Sequence, residues 1–147
     1  MEDGAGLRKS VGLVTRSLVA ALIGASLSVP AAPAHHAISG VYDTRREVTI
    51  EGTVAEFHFV NPHPFVTVEV EAEGGRTEEW RLEMDNRSEL ARIDMTQATL
   101  QPGDRIVVRG HPARNPPRGL YIRRLDRPGD GFSYEQVGNS PRIRSPR

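Results

Sequence analysis

The chain has 147 residues, no cysteine, and acidic and basic residues in equal number, 19 of each. That balance leaves no electrostatic footprint for nucleic acid or an anionic membrane surface. The lack of cysteine excludes a disulfide framework and a cysteine-based zinc site, so stability must come from a packed core.

Residues Met1 to Ala34 read as a secretory signal. Arg8, Lys9 and Arg16 form a positive leading region, and Leu18 to Val29 is an apolar run too short for a comfortable membrane span. Pro30 and the A-x-A box Ala32-Pro33-Ala34 follow. Cleavage after Ala34 would export the protein to the periplasm or beyond, with His35 as its first residue. An uncleaved anchor is the alternative. Glu2 and Asp3 are unusual so early; a start codon chosen too far upstream, with the real start nearer Leu7 or Val14, would explain them. Taking 34 residues from 147 leaves 113, one small domain. The signal holds three basic and two acidic residues, so the remainder carries 16 against 17, a net charge of −1.

Residues 35–44 (HHAISGVYDT) form a leader of mixed character that Ile38, Val41 and Tyr42 could pin to a barrel surface. From Arg45 the pattern is that of strands. Val48, Ile50 and Val54 alternate with Thr49, Glu51 and Thr53, and Gly52 marks a bulge or bend. Phe57 and Phe59 fall on the other parity, as in a long first strand that turns a barrel corner. Asn61-Pro62-His63-Pro64 breaks the strand. Phe65 to Glu73 is the second strand, Gly74-Gly75 the hairpin turn, and Thr77 to Met84 the third strand with Trp80, Leu82 and Met84 on one face. Asp85 or Asn86 caps a short helix through Ile93. Thr99 to Asp104 is a tight turn with Pro102-Gly103 at its centre. Arg105 to Gly110 and Gly119 to Leu125 are the fourth and fifth strands, joined by the polar loop Pro112 to Arg118.

Three strands, a helix and two strands give a mainly all-β fold, a small five-stranded OB-like barrel with one short helix between strands three and four. An SH3-like barrel or a small sandwich satisfies the same alternation. The expected organisation is a signal over 1–34, a leader over 35–44, the barrel over 45–134 and a disordered tail over 135–147.

Four features in this order resemble the small exported bacterial proteins of the DUF6152 family, whose function is uncharacterised. They are His35-His36 after the signal, Ile50-Glu51-Gly52-Thr53-Val54, Asn61-Pro62-His63 after an aromatic pair, and Leu100-Gln101-Pro102-Gly103-Asp104 before Ile106-Val107-Val108. Family members often continue the double histidine with Ser-Phe, where this chain has Ala37-Ile38. They often place an aromatic directly after the NPH element, where Pro64 stands here. The resemblance implies an exported OB-like barrel and does not indicate an activity.

All five histidines, His35, His36, His58, His63 and His111, follow the signal. An N-terminal His35 would offer its amine and a ring nitrogen in one chelate, and Cu(II) favours nitrogen ligands in a tetragonal arrangement. His63, on a stiff proline-flanked loop, is the natural third nitrogen, with His36 next. The competing reading makes the double histidine a flexible start and His63 a turn lock that bonds a backbone carbonyl. A second candidate surface is basic and aromatic, formed by Arg114, Arg118, Tyr121 and Arg123 around the last strand. Given export, it suits an anionic glycan or an envelope protein partner better than nucleic acid. The glutamates read as cross-strand pairs on a solvated face. There is no G-x-S-x-G, no S-x-x-K and no aromatic platform for a copper oxidase, so no enzyme is expected. The expected function is an exported barrel that binds copper or a similar ion through His35, His36 and His63. The alternative is a non-catalytic OB-type module for a partner protein or anionic ligand.

Overall fold

The computed structural model describes residues 35–138 and 140–144. The signal segment 1–34 lies outside them, as do the side chains of His35, His36 and Ala37 and the last residues of the tail. Among the described residues no helix is long and apolar enough to cross a membrane. The elements in chain order are α1 (His35–Val41), β1 (Val48–His58), β2 (Phe65–Ala72), β3 (Arg76–Glu83), α2 (Arg87–Arg92), β4 (Arg105–Pro112), β5 (Gly119–Arg127), β6 (Phe132–Val137) and β7 (Ser140–Arg144).

β1 serves two neighbours, which is what closes the sheet. Its first half, Val48 to Thr53, pairs antiparallel with β4, and its second half, to His58, pairs antiparallel with β2. β2 pairs with β3 and β4 with β5. A short parallel contact, Arg81–Glu83 of β3 against Gly119–Tyr121 of β5, completes the ring. The result is a closed five-stranded barrel of the OB type, extended by two further strands.

The corner in β1 is a bulge. Pairing with β2 shifts register between Val54 and Glu56, so Ala55 is the extra residue and Val54 and Phe57 both point inward. Gly52 does a different job. A Cβ there would stand 2.5 Å from the Glu69 carbonyl oxygen and 2.5 Å from Val68 Cγ1. Gly110 is tighter still, because a Cβ would meet the Tyr121 carbonyl oxygen at 2.1 Å. These glycines let neighbouring strands approach closely.

The core follows the period-two pattern. Val66 and Val68 from β2, Leu82 from β3, Ile106 and Val108 from β4, and Leu120, Ile122 and Leu125 from β5 are all buried. Each such side chain contributes roughly 1.5–3 kcal/mol. Trp80 is half-buried and packs on this core, on the parity of Leu82 and Met84. α2 begins at Asn86, whose side chain accepts from the Ser88 N–H at 2.8 Å, and it places Leu90 in the core.

The expected short helix between strands three and four is α2, and the leader adds a second, α1. One expectation is corrected: the chain from 135 is not a disordered tail as far as it is described. β6 pairs with the second half of β5, which β3 leaves free beyond Tyr121, and β7 pairs with β6. Phe132, Tyr134 and Gln136 alternate inward and are buried, and Ile143 packs on the core. A hairpin needs apolar residues on one face only. The buried Gln136 and the arginines of β7 hide that face from a reading of composition.

Candidate functional site

The five residues from Glu83 to Arg87, where β3 ends and α2 begins, are hydrogen-bonded to three distant parts of the chain. From the leader, the Tyr42 hydroxyl donates to Glu83 Oε2 at 2.9 Å. In the β1–β2 loop, the Pro64 carbonyl accepts from Met84 N–H at 2.8 Å and the Pro62 carbonyl accepts from Arg87 N–H at 3.0 Å. The Arg87 guanidinium donates to the Phe59 carbonyl at 3.0 Å and lies over the Phe59 ring. From β6, the Gln136 amide donates to Asp85 Oδ2 at 2.6 Å.

The β4–β5 loop joins the same pole. The Asp43 N–H donates to the Pro112 carbonyl and the Arg114 N–H to the Val41 carbonyl, each at 2.9 Å, and Tyr42 forms a β-bridge with Ala113. The Arg81 N–H donates to the Arg118 carbonyl at 2.9 Å. The leader, the NPH loop and the proline-rich loop therefore surround one end of the barrel, so residues singled out separately in the sequence share a neighbourhood.

His63 is half-buried in the NPH loop, after a cis Asn61–Pro62 peptide. Its Nδ1 is buried with no hydrogen-bond partner. It does not bond a carbonyl through that nitrogen, as a turn lock would. The other described histidine side chains are engaged. His58 stacks on Phe65, with ring centroids 4.2 Å apart, and lies 3.3 Å from Glu56. His111 Nδ1 is 2.7 Å from the Arg46 carbonyl oxygen. His35 and His36 open α1, and their side chains lie outside the described residues. Among the described residues no three His, Asp or Glu side chains are gathered closely enough to hold a metal ion.

The expected basic and aromatic surface is rearranged. Tyr121 is 3 % exposed and its ring packs 5.6 Å from that of Tyr42, so it belongs to the interior and offers no face to a ligand. Arg123 is half-buried on β5 beside Tyr121 and Tyr134. Arg118, in a left-handed backbone conformation, grips Glu78 with two hydrogen bonds. Arg114 donates to the Ser39 carbonyl and approaches Asp43 at 3.5 Å. Two of the four residues thus hold the leader and loop in place.

Residues the sequence did not single out complete the pole. The Tyr134 hydroxyl donates to Gln136, which ties β6 to Asp85. Burial pushes the phenols of Tyr42, Tyr121 and Tyr134 well above their ordinary range, and the hydrogen bond to Glu83 adds to this at Tyr42. Gln97 acts as a strand substitute: its amide donates to the Phe57 carbonyl and accepts from the Phe59 N–H. Only the amphipathic spacing of the strands was readable. Tyr42, Gln97 and Gln136 stand 38 to 51 residues from Glu83, Phe59 and Asp85, which they bind.

An open groove of about 720 Å³ lies elsewhere, between the Gln101–Asp104 turn and the β5–β6 turn. Its charges are matched internally. Arg127 holds Asp104 at 2.6 Å and Asp130 at 2.8 Å, and Arg105 holds Glu51 at 3.0 Å.

A family model described as a family of unknown function (DUF6152) matches residues 23–121. No curated protein matches the sequence. Among solved structures, the crystal structure of the ZRD-deleted mutant of TiaS in complex with agmatine is similar, with 14 % identity and a TM-score of 0.40. That similarity covers 68 % of this chain and 26 % of the other, so the chain spans about a quarter of that protein.

Proposed function

This chain belongs to the DUF6152 family, a family of unknown function, and from that premise we propose that it is an exported, non-catalytic barrel that binds a transition-metal ion such as Cu(II) through His63 together with His35 and His36. The observation that carries this reading is the buried, unpartnered Nδ1 of His63. Leaving a buried polar nitrogen unsatisfied costs roughly 1–3 kcal/mol, so native structures retain few such atoms. A bound cation would engage that nitrogen, as a neutral imidazole is a good ligand for copper and zinc.

The surroundings favour the same reading. The loop is clamped at Pro62 and Pro64, so little entropy is lost when the ring is fixed. The leader is anchored at Tyr42 to Glu83, the residue before Met84, which itself holds Pro64. In this reading the remaining nitrogens come from His35 and His36; among the described residues no three His, Asp or Glu side chains are gathered to replace them. If the signal is cut after Ala34, the His35 amine and imidazole form one chelate and His63 closes a three-nitrogen set suited to tetragonal Cu(II).

Competition titration of Cu(II) into the purified protein, with its N-terminus fixed by intact mass, tests this reading. One-to-one binding weakened at least tenfold in both His35→Ala and His63→Ala is the expected result. Binding indifferent to His63, or a mature chain that does not begin at His35, would overturn it.

A further inference from the structure

Resting on the copper reading above, we infer that Arg87 is a positioning residue for that site: it sets how tightly His63 holds a metal ion by clamping the loop that carries it, without touching the ion. The loop from Phe59 to Pro64 is tied to the start of α2 at three carbonyls. The Met84 N–H donates to Pro64 at 2.8 Å and the Arg87 N–H to Pro62 at 3.0 Å. The third tie is a side chain. Arg87 Nε donates to the Phe59 carbonyl at 3.0 Å, and the guanidinium carbon stands 4.9 Å from the Phe59 ring centroid. One residue therefore holds the loop both at its entry and directly before His63. Val60 and Asn61, between these two ties, are exposed and make no hydrogen bond among the described residues.

The guanidinium serves the loop rather than the helix. α2 has its own cap, Asn86, which accepts from the Ser88 N–H at 2.8 Å, and its own core anchor, Leu90. A cation in the first turn is opposed by the helix dipole, so Arg87 does not stand there to stabilise α2. Nor does a carboxylate hold it. Among the described residues it forms no ion pair, and its side-chain contacts are the Phe59 carbonyl and ring. Side chains on a helix tilt towards the N-terminus, which turns Arg87 back onto the loop. Its planar fork can donate and lie over a ring at once, which fixes orientation better than a point charge. Removing residues that orient a metal ligand from behind typically weakens metal binding about 10–100-fold.

Cu(II) competition titration and pulsed electron paramagnetic resonance on Arg87→Ala, Arg87→Lys and His63→Ala test the assignment, with circular dichroism reporting that each barrel is folded. Arg87→Ala should weaken copper binding about tenfold. It should also diminish the remote-nitrogen modulation from His63, a signature that a general loss of stability does not move. Arg87→Lys keeps a donor and a positive charge at Phe59 and should recover part of both. In a His63→Ala background the effect of Arg87→Ala should shrink to about twofold or less. Affinity and modulation unchanged by Arg87→Ala, where His63→Ala diminishes both, would overturn this inference alone. Copper binding indifferent to His63→Ala would overturn the copper reading and this inference with it.

Discussion

The Tyr42 hydroxyl donates to Glu83 Oε2 across 41 residues of sequence, at 2.9 Å. This bond fixes where the leader ends on the barrel and therefore where its histidines begin. From Val41 back to His35 a helix spans roughly 9 Å at about 1.5 Å per residue. Tyr42→Phe removes the donor and keeps the ring contact with Tyr121. The expected cost is about 1.5–3 kcal/mol, the range for a hydrogen bond to a charged group. Hydrogen exchange should quicken over residues 38–42 and at the Arg114 amide, and unchanged protection there would refute the anchor.

All three tyrosines of the chain hold their protons more firmly when folded. The unfolded chain releases them near the ordinary value of 10.0, the folded chain only at higher pH. Above pH 10 the folded state then binds more protons, so stability is intact below that point and falls as pH rises through it. Phenolate absorbance at 295 nm should appear together with the loss of near-ultraviolet circular dichroism. Absorbance that rises while the barrel stays folded would contradict the buried placement.

Gln97 completes the β1 edge by bonding both Phe57 and Phe59. Gln97→Leu leaves that carbonyl and amide without protein partners. A loss of about 1–3 kcal/mol is expected by urea denaturation, with faster exchange at the Phe59 amide.

Gly110→Ala places a methyl 2.1 Å from the Tyr121 carbonyl oxygen, a backbone atom that cannot swing aside. The cost should exceed the ~1–3 kcal/mol usual for overpacking a core. The control Gly40→Ala, where nothing lies within 4 Å, should fold normally.

The barrel was legible because its strands alternate in period two and its turns carry Gly-Gly and Pro-Gly. The bulge at Ala55 was half legible: the parity change from Val54 to Phe57 announced it, and Gly52 drew attention to the wrong residue. β6 and β7 were missed because Gln136 occupies an inward position and Arg142 and Arg144 dominate the outward ones. Tyr121 was misplaced on the surface because Arg123 and Arg124 stand beside it in sequence. The register shift at Gly110 puts it on the face opposite Leu125, where the leader's Tyr42 covers it. For the site, proximity of the leader, the NPH loop and the proline-rich loop depends on the closure of β3 against β5, which no local pattern encodes.

Coordination by His63 is the central claim, and pulsed electron paramagnetic resonance of the Cu(II)-loaded protein reads it directly. An imidazole bound through one nitrogen produces modulation from its remote ring nitrogen. The account predicts that ¹⁵N labelling of histidine changes this modulation and that His63→Ala removes one ring's contribution while the barrel stays folded. Modulation identical in wild type and His63→Ala would contradict it.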